Sequence, residues 1–167
     1  MKALALLLAT PLALAGCGLQ PVYSGGRNGA VAQGLAGVEI APIEGKAGWL
    51  VTNALRDRLG AMGKGAPRYR LDVRLDDRIV GLGSRSDDSV ARERRTLRAR
   101  YQLVEAGAGT VLVDATAGSD AGIDVVGSEY AVIAAESTAL ERLSETIADQ
   151  IVARLAIHAR RQAQAAR

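Results

Sequence analysis

The chain has 167 residues, 49% of them hydrophobic, with 21 Lys and Arg against 18 Asp and Glu and a formal net charge of +3. So small an imbalance gives no electrostatic case for nucleic acid, and with Phe absent, one Trp and 3% aromatics there is no stacking platform for a single strand. One cysteine and one histidine exclude an internal disulfide and a zinc-type ligand set.

The N-terminus carries the most specific signal. Met1-Lys2 is a weakly basic start, residues 3–13 form an apolar stretch interrupted by Thr10 and Pro11, and Leu14-Ala15-Gly16-Cys17 has the form of a lipobox. A membrane-spanning helix needs about 20 apolar residues, so this run is too short to span. Residues 1–16 are therefore predicted to be removed as a lipoprotein signal peptide, leaving Cys17 as a lipidated N-terminus. Gly18 stands where Asp would signal retention in the inner membrane of enteric bacteria, which points to the outer membrane. Loss of Lys2 leaves 20 basic residues against 18 acidic ones, a net charge of +2. The remaining chain, about 150 residues, suits one domain with an aliphatic core.

Residues 17–34 are rich in Gly and polar residues and are predicted to be the lipidated N-terminus and its tether, followed by a single domain over 35–167. Val38 and Ile40 alternate in a short strand that Pro42 ends. From Lys46 to Met62 apolar residues recur at helical spacing, and Gly63 and Gly65 stop the helix. Arg68 to Asp76 has a period of two: Tyr69, Leu71, Val73 and Leu75 face one way and arginines and aspartates the other. Residues 81–89 form a loop. A long strand follows, with Leu97, Ala99, Tyr101 and Leu103 inward and Thr96, Arg98, Arg100 and Gln102 outward. Residues 106–109 turn it into a hairpin with a strand beginning at Val111. After a connection over 119–127, residues 129–161 form an amphipathic helix with Leu140, Leu143, Ile147, Ile151 and Leu155 on one stripe and Ser128 as N-cap. Each strand has one apolar face. The expected fold is α+β, a two-layer sandwich in which two helices pack on one face of a four-stranded sheet, in the order β-α-β-β-β-α.

Catalytic equipment is thin. His158 lies near the end of the last helix beside Arg160 and Arg161, with no serine and carboxylate brought to it by the pattern. Asp87-Asp88 lacks calcium-loop spacing, and the Gly81-x-Gly83 and Gly107-x-Gly109 pairs do not open helices as phosphate loops do. The arginines carry more information. Between Arg68 and Val104 there are ten arginines, no lysine and six carboxylates. Arg68, Arg70, Arg74 and Arg78 share even parity with Arg92, Arg94, Arg98 and Arg100, which puts them on the face turned away from the core. Guanidinium groups bind phosphate or carboxylate as a bidentate fork. Arg68, Arg70, Arg74, Arg94, Arg98 and Arg100 are accordingly a candidate surface for an anionic amphiphile or an acidic protein wall. A face kept soluble by cross-strand Arg–Asp pairs, with Asp72 and Asp76 as partners, explains the same pattern.

The opening Cys17-Gly18-Leu19-Gln20-Pro21-Val22-Tyr23 resembles the Cys-Gly-Phe-x-Pro-Leu-Tyr start of LptE-type lipoproteins, the lipopolysaccharide-assembly lipoproteins of alphaproteobacteria. Leu19 replaces the usual aromatic and Val22 the usual leucine. The last helix, from Ser128-Glu129-Tyr130-Ala131 through Ala135-Glu136, Leu140, Arg142, Ile147-Ala148 and Ile151, is similar to that family's closing helix. The resemblance implies a non-enzymatic protein with no cofactor beyond the lipid on Cys17, anchored to the outer membrane and facing the periplasm. Its implied partners are the LptD β-barrel, which such proteins help to fold and plug, and lipopolysaccharide. Another periplasmic lipid-anchored module that binds lipid or protein is the alternative.

Overall fold

A computed structural model describes residues 29–63, 65–84, 90–125 and 127–166. The expected signal peptide, Cys17 and the expected tether up to residue 28 lie outside the described residues, as does Asp87-Asp88. The elements in chain order are α1 (Ala30–Leu35), β1 (Val38–Ile40), α2 (Gly45–Gly60), β2 (Tyr69–Ser84), β3 (Val90–Glu105), β4 (Val111–Asp124) and α3 (Glu129–Ala165).

The strands form one four-stranded sheet in the order β1-β2-β3-β4. β1 runs parallel to β2, with α2 as the crossover that parallel strands require, and β2, β3 and β4 form an antiparallel meander. Register keeps the expected parity: Leu71 pairs with Leu103, Val73 with Tyr101, Leu75 with Ala99, and Ala99 in turn with Ala117. An irregularity at Leu103/Val104 shifts the β3–β4 register by one at the hairpin end. One face therefore collects the apolar side chains. Leu71, Leu97 and Leu103 from the sheet meet Val51 and Leu55 of α2 and Leu140, Ile147, Ile151 and Leu155 of α3, all almost fully buried. The result is the expected two-layer α+β arrangement, with a mixed open sheet.

The helix count and order differ from expectation. Three helices are present, in the order α-β-α-β-β-β-α, because residues 30–34 of the expected tether belong to α1. Composition hid this helix, which has a glycine within it and is too short to stand alone. Val31, Ala32 and Leu35 are buried, and a Cβ on Gly34 would stand 3.1 Å from that of Ala159 in α3. Tertiary packing holds it. The early strand is only three residues long, while β2 and β4 run further than their side-chain patterns indicate, to Ser84 and Asp124. Residues 81–84 and 119–124, expected as loop and connection, are ladder. Backbone pairing with β3 carries both strands past the last apolar pattern. Ser128 occupies the N-cap position of α3, but its carbonyl, not its hydroxyl, accepts from the Ala131 and Val132 N–H groups.

Candidate functional site

The sheet face opposite the helices is built from even-numbered positions of β2, β3 and β4. Strand register sets its rows: Asp72–Gln102–Asp114, then Arg74–Arg100–Thr116, Asp76–Arg98–Gly118, Arg78–Thr96–Asp120, Val80–Arg94–Gly122 and Leu82–Arg92–Asp124. Like charges directly opposite one another are unfavourable, so Arg74 beside Arg100 needs neighbouring carboxylates.

Much of the ladder neutralises itself. Arg70 donates to Asp72 (2.9 Å) and Arg78 to Asp76 (2.9 Å), two positions apart along β2, whereas Arg92 reaches across to Asp124 of β4 (2.9 Å). Arg100 donates to Asp114 at 3.1 Å, and Gln102 donates to the same carboxylate at 2.9 Å. These donors hold the Asp114 carboxyl below the usual carboxylate range. Thr96 donates to Asp120 (2.6 Å). Such exposed pairs, screened by solvent, add little to stability. Their larger effect is to fix where positive charge remains.

Arg74, Arg94 and Arg98 have no acidic partner among the described residues. The Arg98 guanidinium lies over Gly118, where a Cβ would approach its Nη1 to 2.8 Å. Of the six predicted arginines, the structure brings Arg70, Arg74, Arg94, Arg98 and Arg100 onto one face and leaves Arg68 outside it. Arg68 precedes β2, bonds through its N–H to the Gly37 carbonyl (2.9 Å), and stacks at 5.5 Å over the Tyr69 ring. Beside the ladder, where β1 leaves the sheet, Pro42, Ile43, Glu44, Arg74, Leu75 and Arg100 border a recess of about 790 Å³.

Parity alone missed the inward charges. Arg95 points toward the helices, forks onto Asp77 (2.9 and 2.6 Å) and donates to the Glu136 carbonyl of α3 (2.9 Å). Glu93 has the same parity, and one of its carboxylate oxygens is buried with no hydrogen-bond partner among the described residues. The odd positions of Asp77, Glu93 and Arg95 in otherwise apolar strands were the available signal. His158 is half-buried, its Nε2 3.1 Å from Gln162 Nε2. Among the described residues no group of three or more His, Cys, Asp and Glu side chains could hold a metal, and no helix is long and apolar enough to cross a membrane.

Solved structures share this architecture. A lipoprotein from Caulobacter crescentus is 24% identical over 80% of this chain and 98% of its own, with a TM-score of 0.64. A minor lipoprotein from Acinetobacter baumannii is 14% identical over 73% and 92%, with a TM-score of 0.60. The rare lipoprotein B of Shewanella oneidensis is 13% identical over 71% and 94%, with a TM-score of 0.52. At these identities the likeness is one of fold. No curated protein matches the sequence. The family match is specific: residues 35–155, from the end of α1 to well within α3, fit the lipopolysaccharide-assembly family LptE. Its members are outer-membrane, lipid-anchored assembly proteins and not enzymes. By the span of that match, which includes the whole sheet and its arginine ladder, the chain belongs to the LptE family of lipopolysaccharide-assembly lipoproteins.

Proposed function

We propose that this lipoprotein, attached through lipid on Cys17, acts with the LptD β-barrel in assembling lipopolysaccharide, helping the barrel to fold and plugging its lumen. In this reading residues 1–16 are the signal peptide, 17–34 carry the lipid and the lead into the fold, and 35–167 form the rest of a single domain. The observation that carries the reading is the open sheet face. Among the described residues no helix covers it, its charges are mostly paired internally, and Arg74, Arg94 and Arg98 remain free of acidic partners. A self-neutralised polar face suits the water-lined interior of a large barrel, and unpaired guanidinium groups suit phosphate or carboxylate. The candidate contact set narrows to Arg74, Arg94 and Arg98 with Arg100 and Arg70 beside them. Arg68, held on Tyr69, plays no direct part.

Affinity purification of the mature lipoprotein from detergent-solubilised outer membranes is expected to recover a barrel protein in stoichiometric amount. Recovery of none would sink the reading. Arg74→Ser with Arg98→Ser should lower binding of purified lipopolysaccharide several-fold while leaving the far-UV spectrum unchanged; equal binding would assign the ladder to solubility alone.

A further inference from the structure

The two edges of the sheet are treated differently. On β4, the Gln150 side chain of α3 accepts from the Gly118 N–H (3.0 Å) and donates to the Gly118 carbonyl (3.2 Å), so an edge position is capped from within. On the other side, β1 fills only the slots opposite Tyr69 to Leu71, and the last bond to β2 runs from the Ala41 N–H to the Leu71 carbonyl (3.0 Å). Alternate residues of a strand point their N–H and C=O the same way. Tyr69 and Leu71 point theirs at β1, so Leu75, Asp77 and Ile79 point theirs out of the sheet, and among the described residues no strand receives them. Every residue from Asp76 to Val80 is exposed, on both faces, with Ile79 40% and Val80 56% accessible. Charge does not guard this edge, because Asp76 and Arg78 pair with each other and Asp77 is held in the Arg95 fork. At Leu75 the edge opens into the recess of about 790 Å³, to which the sheet contributes Arg74 and Arg100 and the turn between β1 and α2 contributes Glu44.

We propose that this edge takes an extended segment of a partner protein, added antiparallel to β2 over residues 75–80, in line with β1, with a carboxylate of that segment seated at Arg74. Geometry sets the pattern such a segment must have. Its residues opposite Leu75, Asp77 and Ile79 exchange both backbone hydrogen bonds with β2, about six in all, and their side chains lie on the helix side of the sheet. Its residues opposite Asp76, Arg78 and Val80 turn their N–H groups away. Apolar side chains suit the positions opposite Leu75, Ile79 and Val80, and so cover the exposed Ile79 and Val80. Neutral polar ones suit the positions opposite Asp76, Asp77 and Arg78, whose charges are already paired. The next residue leaves the ladder at the recess beside Arg74, which has no acidic partner among the described residues and has Arg100 as its neighbour on β3. An acid is favoured there and a lysine is not. Main-chain bonds supply the affinity and the alternate side chains the selectivity. The contact is one of backbone with backbone, so it goes beyond the barrel reading and does not rest on it.

The probe is the C-terminally amidated peptide Val-Val-Thr-Thr-Thr-Val-Glu, dye-labelled at its N-terminus, whose residues fall in order opposite Val80 to Leu75 with the Glu at Arg74. It is titrated with the full mature chain carrying Cys17→Ser and followed by anisotropy. Saturable binding is expected. N-methylation of its second and fourth residues, whose N–H groups face β2, should weaken binding about tenfold or more, whereas N-methylation of the third and fifth, which face away, should leave it within about twofold. Ile79→Pro removes one outward N–H and none of the bonds to β3, so it should keep the far-UV spectrum and lose most of the binding. Arg74→Glu should reverse the preference, binding a peptide that ends in Lys better than the one that ends in Glu. Amide exchange followed by NMR places the contact: Leu75, Asp77 and Ile79 should exchange fast alone and slowly with peptide. No saturable binding to the parent chain, equal losses from the two methylation patterns, a folded Ile79→Pro that binds like the parent, or an unreversed preference would each overturn the proposal. So would slow exchange at these three amides without peptide, because the chain itself or a second copy would then already cover the edge.

Discussion

Gly48 is buried where α2 passes the turn after β1, and a Cβ there would stand 2.4 Å from the Ile43 carbonyl oxygen and 2.6 Å from its carbon. Backbone cannot swing aside as a side chain can. Gly48→Ala is therefore expected to destabilise the domain by about 1–3 kcal/mol, against the roughly 1 kcal/mol that alanine normally gains over glycine in a helix. A lowered urea midpoint with an unchanged slope would show it, and an increase in stability would contradict the close approach. Gly118 is the opposite case, because its added methyl meets only the flexible end of Arg98. Which arginines share a face was legible from their even parity, since alternation is a property of any strand. Asp72 and Asp76 were legible as partners too, although they pair with Arg70 and Arg78 along β2 and not across strands; the other pairings were not legible. Asp114 and Asp124 come from β4, and only the register brings them to Arg100 and Arg92.

α2 and α3 lie side by side and run the same way, as their contacts show: Lys46 donates to Ser137 (2.9 Å) near their starts and Arg58 forks onto Asp149 (Nη2 to Oδ2 3.0 Å) twelve residues further along each. The hydrogen bonds from Arg58 hold the Asp149 carboxyl below the usual range against a smaller opposing effect of burial. A carboxyl lowered in the fold contributes stability above the unfolded carboxylate pKa, about 3.9, and that contribution is lost as pH falls through the folded value. Asp149→Asn should lower stability at neutral pH by no more than about 1 kcal/mol given the exposure of the carboxylate, seen as a slightly lower Tm, and not at all near pH 2. Calorimetry at both pH values checks the convergence; a constant Tm difference would separate the effect from titration. The helices and the apolar halves of the strands were legible because their periods are 3.6 and 2. The ends were not. β2 continues through Asp77 and Arg78 to Ser84 on backbone pairing that side-chain type does not report, and α1 exists only because α3 is there to receive it.

The molecule is long in one direction, with strands of 16 residues, about 50 Å, and a final helix of 37 residues, about 55 Å. α1 packs against the C-terminal part of α3, near Ala159, whereas the end of β2, the first part of β3 and the start of α3 lie at the far end. That far end exposes Val80, Tyr130 and Ile133. α3 runs the length of the sheet and packs on α1, α2, β3 and β4. It couples the two ends alongside the β2–β3 ladder, which spans the same length. Ile147, fully buried in the middle of that helix, is the position at which this can be tested. Ile147→Ala removes side-chain volume that the sheet and helix layers cannot both relax to fill, and is expected to cost about 2–5 kcal/mol. Because the spine is shared, hydrogen exchange should speed up together in β1 at one end and in the Arg92–Asp124 ladder at the other. Acceleration confined to one end would mean that the ends fold as separate units and that the long helix joins them without coupling them.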